Sequence, residues 1–307
     1  MIVTVIIFCI GLALLVKGAD AFVAGGGGLA IRHRVSPALI GFTIIAFGTS
    51  LPELVVSFNA AATGNGAIAL GNVLGSNVAN IALVLALCTL IKPEMMLATP
   101  QSRAGLIRHT GLMLIATVVF AVLALRGVLD ALSALVLLAV FAGTLVILWR
   151  ERKEEEGEAI ETHGKRDILF IALGLAAVVI GSQLVLMGAL DIAAAFGIPA
   201  FVVGMSMVAF GTSLPELATS LIAAVRNQGA ISVGNILGSN IFNLLLVLGL
   251  SALVTPIAVG SFTDVLIVIL FSAGILPLIL GSRRTIRAWS LVLLAGYVTY
   301  IAWLFAA

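Results

Sequence analysis

Glu53 and Glu216 are the residues whose presence packing alone explains least. Each stands in the middle of a long apolar run, and a carboxylate at the centre of a bilayer costs about 3 kcal/mol or more to insert. Both carry the same neighbours. Thr49 and Ser50 precede Glu53 by four and three positions, and Thr212 and Ser213 precede Glu216 identically. On a helix those positions share one face. Ser76 and Asn80 are again four apart, as are Ser239 and Asn243. Every one of these side chains offers oxygen, and none is a thiol or an imidazole. An all-oxygen set suits hard cations such as Ca²⁺, which takes about 6–8 oxygen ligands, and disfavours soft metals. A single hydroxyl in a membrane helix more often bonds back to its own backbone, so the reading rests on the cluster. The plain alternative is a structural carboxylate held by a neighbouring helix. The same liability appearing twice, with the same polar neighbours, argues against it.

Pro52 and Pro215 stand directly before the glutamates. Proline inside a helix removes a donor and clashes with the carbonyl four residues earlier, which frees carbonyls around Gly48 and Gly211. In lipid, such broken backbone is tolerated only where it is buried in protein or lines a watery cavity. Freed carbonyls are themselves cation ligands.

The elements that position these residues follow from composition. The 307 residues are 62% hydrophobic and only 10% charged, with mean hydropathy +1.25, whereas a soluble domain carries about a quarter charged residues. This excludes a soluble globular domain and points to an all-α polytopic membrane protein. With about 20 apolar residues needed per crossing, the sequence divides into ten expected spans: 2–30, 36–62, 67–91, 105–125, 128–149, 168–195, 199–225, 229–253, 262–281 and 285–306. The first apolar run continues past Lys17 with no cleavage-site pattern, so it is read as a span and not as a signal peptide. The one polar stretch, 150–167, carries an acidic run and is read as a solvated cytoplasmic connector. It separates a first five-helix unit, 1–149, from a second, 168–307.

The chain repeats itself. Residues 36–87 match 199–250 without a gap, at a fixed offset of 163 positions, as from Glu53 to Glu216. Five spans per unit is an odd number, so the second copy enters the membrane from the opposite side. That is an inverted repeat, which in secondary transporters places the substrate site between the repeats near mid-membrane. Basic residues mark cytoplasmic loops. With the N-terminus outside, the inner linkers and adjoining helix ends hold Arg32, Arg34, Lys92, Arg103, Arg108, Arg150, Arg152, Lys153, Lys165, Arg166, Arg226, Arg283, Arg284 and Arg287, against only Arg126 outside. Both termini are therefore expected outside. Trp149, Trp289 and Trp303 fall at span ends, as interfacial anchors do.

Other residues read as structural. Cys9 and Cys88 are taken as small core hydrophobes with no redox role. Lys17, Asp20 and Asp191 are taken to snorkel or pair locally. Gly25–Gly28 is expected to allow close or sliding helix contact. His33, His109 and His163 are placed in or beside cytoplasmic loops, which leaves no mid-membrane histidine relay. A hydrolase built on Ser50 or Ser213 would lack a neighbouring base, so no enzymatic activity is expected.

The paired blocks Gly48-Thr49-Ser50-Leu51-Pro52-Glu53 and Gly211-Thr212-Ser213-Leu214-Pro215-Glu216, with Gly71-Asn72-Val73-Leu74-Gly75-Ser76-Asn77 and Gly234-Asn235-Ile236-Leu237-Gly238-Ser239-Asn240, resemble the calcium/cation antiporter superfamily and its sodium/calcium exchanger branch. The resemblance covers essentially the whole chain. It implies ten helices in two inverted halves, with the second, third, seventh and eighth spans forming an ion core and the first and sixth sliding across it. It also implies a cluster of Thr49, Ser50, Glu53, Ser76 and Asn80 with Thr212, Ser213, Glu216, Ser239 and Asn243, completed by the backbone carbonyls of Ala46 and Ala209. Glu53 and Glu216 would bridge a central Ca²⁺ and share the Na⁺ sites. Asn243 departs from archaeal members, which carry aspartate there, and leaves the site with two carboxylates. The potassium-dependent branch is also acidic at that position, so K⁺ co-transport is not expected. The expected function is exchange of Na⁺ for Ca²⁺ by a monomer in a cell (inner) membrane, with no cofactor and no nucleic-acid partner. A proton/calcium exchanger on the same carboxylates and a cation channel are the rivals.

Overall fold

A chain this apolar satisfies its backbone internally, and helices are how it does so. The structure, a computed structural model, describes residues 2–97, 100–150, 164–195 and 211–306. Almost all of these residues are helical. In chain order the elements are α1 (Ile2–His33), α2 (Pro37–Ile40), α3 (Ala46–Thr49), α4 (Leu51–Ala62), α5 (Gly66–Ala79), α6 (Ala86–Ile91), α7 (Pro100–Ala124), β1 (Val128–Leu129), α8 (Ala131–Arg150), α9 (Asp167–Ala195), α10 (Leu214–Val225), α11 (Gly229–Ile241), α12 (Leu248–Val254), β2 (Ile257–Ala258), α13 (Phe262–Ala273), α14 (Leu276–Leu280) and α15 (Arg283–Ala306). Three π-helical segments, Gly41–Ile45, Asn80–Leu85 and Phe242–Val247, join α2 to α3, α5 to α6 and α11 to α12.

The ten spans expected from the sequence become, among the described residues, eight helices long and apolar enough to cross a membrane plus one broken helix. The broken one is the second expected span. Pro37–Thr49 and Leu51–Ala62 meet at 46°, with Ser50 at φ −85°, ψ 4° and Pro52 in the first turn of α4. The expected seventh span, 199–225, lies partly outside the described residues. Its visible part, α10, begins at an equivalent break, with Ser213 at φ −84°, ψ 0° and Pro215 in the first turn. Helix α7 starts earlier than the expected 105, because its polar first turn continues the helix beyond the apolar run.

Burial sorts the helices. Gly66–Ile91 and Gly229–Val254 are the most enclosed of the eight, while α1, α8, α9 and α15 leave most of their surfaces open. The open surfaces are apolar, with Val3, Ile6, Leu132, Trp149, Leu173 and Val298 all exposed, as a lipid-facing shell requires. Cys88 is buried as expected, but Cys9 is exposed, because it lies on the outward face of peripheral α1. His109, expected in or beside a loop, lies deeper than that. It sits within α7, buried, with its ring 5.0 Å from that of Phe42; the basic cluster at that helix end masked how far the helix carries it inward.

Two close backbone approaches hold the frame. A Cβ on Gly234 or Gly238 would meet the carbonyls of Ala38 or Phe42, so only glycine lets α11 lie against the π-helical turn of the opposite half. Helices α1 and α9 pack antiparallel along their length. Cβ atoms on Gly11 and Gly18 would lie 3.0 and 2.9 Å from the carbonyls of Gly181 and Gly174. Gly174 and Gly181 stand 163 positions after Gly11 and Gly18, so the repeat reaches further than the block 36–87, and its equivalent helices pack on one another about a local twofold. The run Gly25–Gly28 continues this seam. Gly25 faces the Asp167 backbone, Gly28 the Asp167 side chain, and Gly26 the Ile45 side chain. Asp20 pairs across the halves with Arg226 at 2.6 Å and not locally on α1. Outside the helices, β1 and β2 pair antiparallel (Val128 with Ala258, Leu129 with Ile257), and Arg283 pairs with Glu94.

Candidate cation site

The helix breaks at Ser50 and Ser213 place both glutamates in the first turn of a new helix, facing the enclosed α5 and α11 segments. Both side chains are fully buried. Ser50 Oγ donates to Glu216 Oε1 at 3.0 Å, across the halves. Ser76 Oγ donates to Glu53 Oε1 at 3.4 Å. The second oxygen of each carboxylate, Glu53 Oε2 and Glu216 Oε2, has no hydrogen-bond partner among the described residues. Ser213 Oγ, Asn80 Oδ1 and both amide atoms of Asn243 are also buried and unpartnered there. Buried polar atoms are nearly always satisfied. Among the described residues these orphans concentrate around the two carboxylates, which marks the place as a candidate site for a cation.

The hydroxyls interlock across the halves. Thr49 Oγ1 lies 3.4 Å from Ser239 Oγ, and Ser76 Oγ lies 3.5 Å from Thr212 Oγ1. Of the twelve expected site residues, the structure places seven in three buried hydrogen-bonded sets, Thr49 with Ser239, Ser50 with Glu216, and Glu53 with Ser76 and Thr212; each set includes a contact across the halves. Ser213, Asn80 and Asn243 are buried on adjoining segments. Asn80 opens the Asn80–Leu85 π segment, and Asn243 lies in the Phe242–Val247 one; single π turns recur at functional sites because the extra residue re-aims side chains. Asn80 Nδ2 donates to Asn240 Oδ1 at 3.0 Å. The Ala46 carbonyl accepts the Ser50 N–H at 3.0 Å and lies 3.3 Å from Thr49 Oγ1. Ala209 lies outside the described residues. Ser50 also borders a shallow apolar surface groove lined by Phe47, Leu54, Phe242 and Val247.

Sequence reasoning missed two residues that touch this group. Thr49 Oγ1 donates to Asn235 Oδ1 at 3.1 Å, and Thr212 Oγ1 donates to Asn72 Oδ1 at 3.2 Å. Behind them, Asn72 Nδ2 donates to Ser57 Oγ at 3.0 Å and Asn235 Nδ2 to Ser220 Oγ at 2.9 Å. The spacing carried the signal: Asn72, Ser76 and Asn80 are successive members of one i, i+4 series, as are Thr49, Glu53 and Ser57.

The chain matches the family described as sodium/calcium exchanger protein over residues 3–150 and 167–306. It belongs to that family. The match leaves out little more than the polar connector, so both repeats of this exchanger-family chain fall within it. It is 33% identical to the putative antiporter CaxA of Alkalimonas amylolytica over 323 residues, covering 100% of both chains. It is 32% identical to the sodium/calcium exchanger MaX1 of Methanosarcina acetivorans, covering 99% of each. The inner membrane protein YrbG of Escherichia coli is 31% identical, over 99% of this chain and 98% of that one. Its fold matches the sodium-calcium exchanger NCX_Mj, in a structure soaked with Na⁺ and Ca²⁺, with a TM-score of 0.85, 31% identity and 98% coverage of both chains. The exchanger-family chain is thus a polytopic integral membrane protein.

Proposed function

We propose that this protein is a secondary active antiporter that exchanges Na⁺ for Ca²⁺ by alternating access in a cell (inner) membrane. The observation that carries the proposal is the pair of fully buried carboxylates, each with one oxygen lacking a protein partner among the described residues, inside a shell of hydroxyl and amide oxygens. Uncompensated carboxylates in a membrane interior are too costly to persist without a counter-charge. Two negative charges are balanced by one Ca²⁺, and all-oxygen donors suit both hard cations. The sodium/calcium exchangers among the relatives support the same ion pair.

The cation ligands are proposed to be the side chains of Thr49, Ser50, Glu53, Ser76, Asn80, Thr212, Ser213, Glu216, Ser239 and Asn243, with the carbonyls of Ala46 and Ala209. Ten spans in two inverted five-helix repeats, both termini outside, form the frame, with residues 150–167 as a cytoplasmic connector. A monomer suffices, because one chain supplies every ligand. With Ca²⁺ or Na⁺ bound, the core is neutral enough for the apolar α1–α9 pair to cross its face. Empty, the core carries two charges and crosses poorly, which couples one ion's passage to the other's return.

Glu53→Gln and Glu216→Gln each keep the shape but remove a charge. Each is expected to lower ⁴⁵Ca²⁺ uptake into proteoliposomes by at least 100-fold, as removal of a buried charge partner costing about 3 kcal/mol implies. Uptake at the unsubstituted rate in either variant would overturn the assignment. A second reading, a proton/calcium exchanger, draws on the neutral Asn243: without a third carboxylate, two protons neutralise the site as well as one Ca²⁺ does.

A further inference from the structure

A hydroxyl can bind a cation only through its lone pairs, so its proton must be given to some other acceptor. Thr49 has three acceptors within reach. They are the Ala46 carbonyl, 3.3 Å away on its own helix, Ser239 Oγ at 3.4 Å, and the nearest, Asn235 Oδ1, 3.1 Å away on the opposite half. Back-bonding to its own helix is the default for threonine, and here it would consume a carbonyl that the site needs. Asn235 offers the alternative, and its amide is held from behind by Nδ2 donating to Ser220 Oγ at 2.9 Å. The same relay recurs in the other half. Thr212 donates to Asn72 Oδ1 at 3.2 Å, and Asn72 Nδ2 reaches Ser57 Oγ at 3.0 Å and the Glu53 carbonyl at 3.4 Å. A carbonyl can only accept, so the amide nitrogen must face it, and this fixes Asn72 with its oxygen toward Thr212. All six side chains of the two relays are buried.

We infer that Asn72 and Asn235 are positioning residues. Each accepts the hydrogen bond of the threonine hydroxyl from the opposite repeat, so that Thr212 and Thr49 present lone pairs to the cation and the Ala46 carbonyl, which already accepts the Ser50 N–H, keeps its second lone pair. The inference rests on the proposed cation site and adds to it a dependence of one half's ligand on the other half's amide. It makes each threonine competent only while the two halves are in register.

The test is a double-mutant cycle on the full chain in detergent, reading ⁴⁵Ca²⁺ dissociation constants beside thermal unfolding. Asn235→Leu and Thr49→Val are each expected to weaken Ca²⁺ binding by about tenfold, the scale of one lost ligand. Because Asn235 acts through Thr49, the double variant should be no weaker than either single one. Additive losses, or no loss in Asn235→Leu, would overturn the inference. Should Asn235→Leu fail to fold, Ser220→Ala serves in its place: a several-fold loss that disappears in the Thr49→Val background supports the relay, and no loss overturns it. Glu216→Gln, measured alongside, separates the two levels. Undiminished Ca²⁺ binding there would remove the site itself, whereas abolished binding there with a silent Asn235→Leu would remove only the relay.

Discussion

In the proposed site Asn243 is the side chain whose neutrality matters most. Its amide is fully buried with neither atom partnered among the described residues, and of the proposed ligands only Glu53 and Glu216 carry formal charge. Asn243→Asp would add a third carboxylate and favour binding of a larger Na⁺ set. It is expected to lower the half-saturating Na⁺ concentration for Ca²⁺ efflux several-fold, read as ⁴⁵Ca²⁺ release against external Na⁺; an unchanged or higher value would show that Asn243 lies outside the Na⁺ path. At this scale the spacing was legible: the glutamates and the hydroxyls that bond to them or to one another across the halves stand at helical spacing in a duplicated motif. What escaped was the depth of the polar network. Extending the i, i+4 series by one turn reaches Asn72 and Ser57, but nothing in the pattern says that Asn72 serves the threonine of the other half. That pairing is a tertiary contact between residues 140 positions apart.

The elements owe their shape to proline and glycine. Pro52 and Pro215 end one helix and start the next at Ser50 and Ser213, and this break aims both glutamates inward. Glycine then sets the distances. Gly238→Val would drive a side chain into the Phe42 carbonyl and the Ala46 methyl. Backbone cannot move aside as a flexible side chain can, so the expected cost is about 3 kcal/mol, the upper part of the range for overpacking. A clear fall in the unfolding temperature in detergent would bear this out, and an unchanged midpoint would show that α11 has room to shift. The breaks were readable from proline. The three π-helical segments were not, because one extra residue in a turn leaves an apolar run looking the same.

At the scale of the whole molecule, repeat-equivalent helices α1 and α9 pack on each other through repeat-equivalent glycines. Gly174→Leu would place Cβ 2.5 Å from the Phe22 backbone nitrogen and force the pair apart. It should destabilise the protein by about 1–3 kcal/mol, seen as earlier thermal unfolding; a midpoint equal to that of the unsubstituted chain would mean that the seam is loose. The repeat was legible where its motifs are long, from 36 to 87. It was harder to read in α1 and α9, where beside the spaced glycines only a few apolar identities persist, such as Leu12 with Leu175 and Ala13 with Ala176. Asp20 and Arg226 could not be paired from sequence either, since their contact joins the peripheral pair to the core only once the halves are assembled.

The most direct measurement is ⁴⁵Ca²⁺ uptake into proteoliposomes loaded with Na⁺ and diluted into Na⁺-free buffer, beside K⁺-loaded vesicles and vesicles carrying only a pH gradient. The account predicts uptake driven by the outward Na⁺ gradient and absent from both controls. Uptake driven by the pH gradient alone would contradict Na⁺ coupling and establish the proton-coupled reading, and uptake indifferent to every gradient would contradict exchange itself.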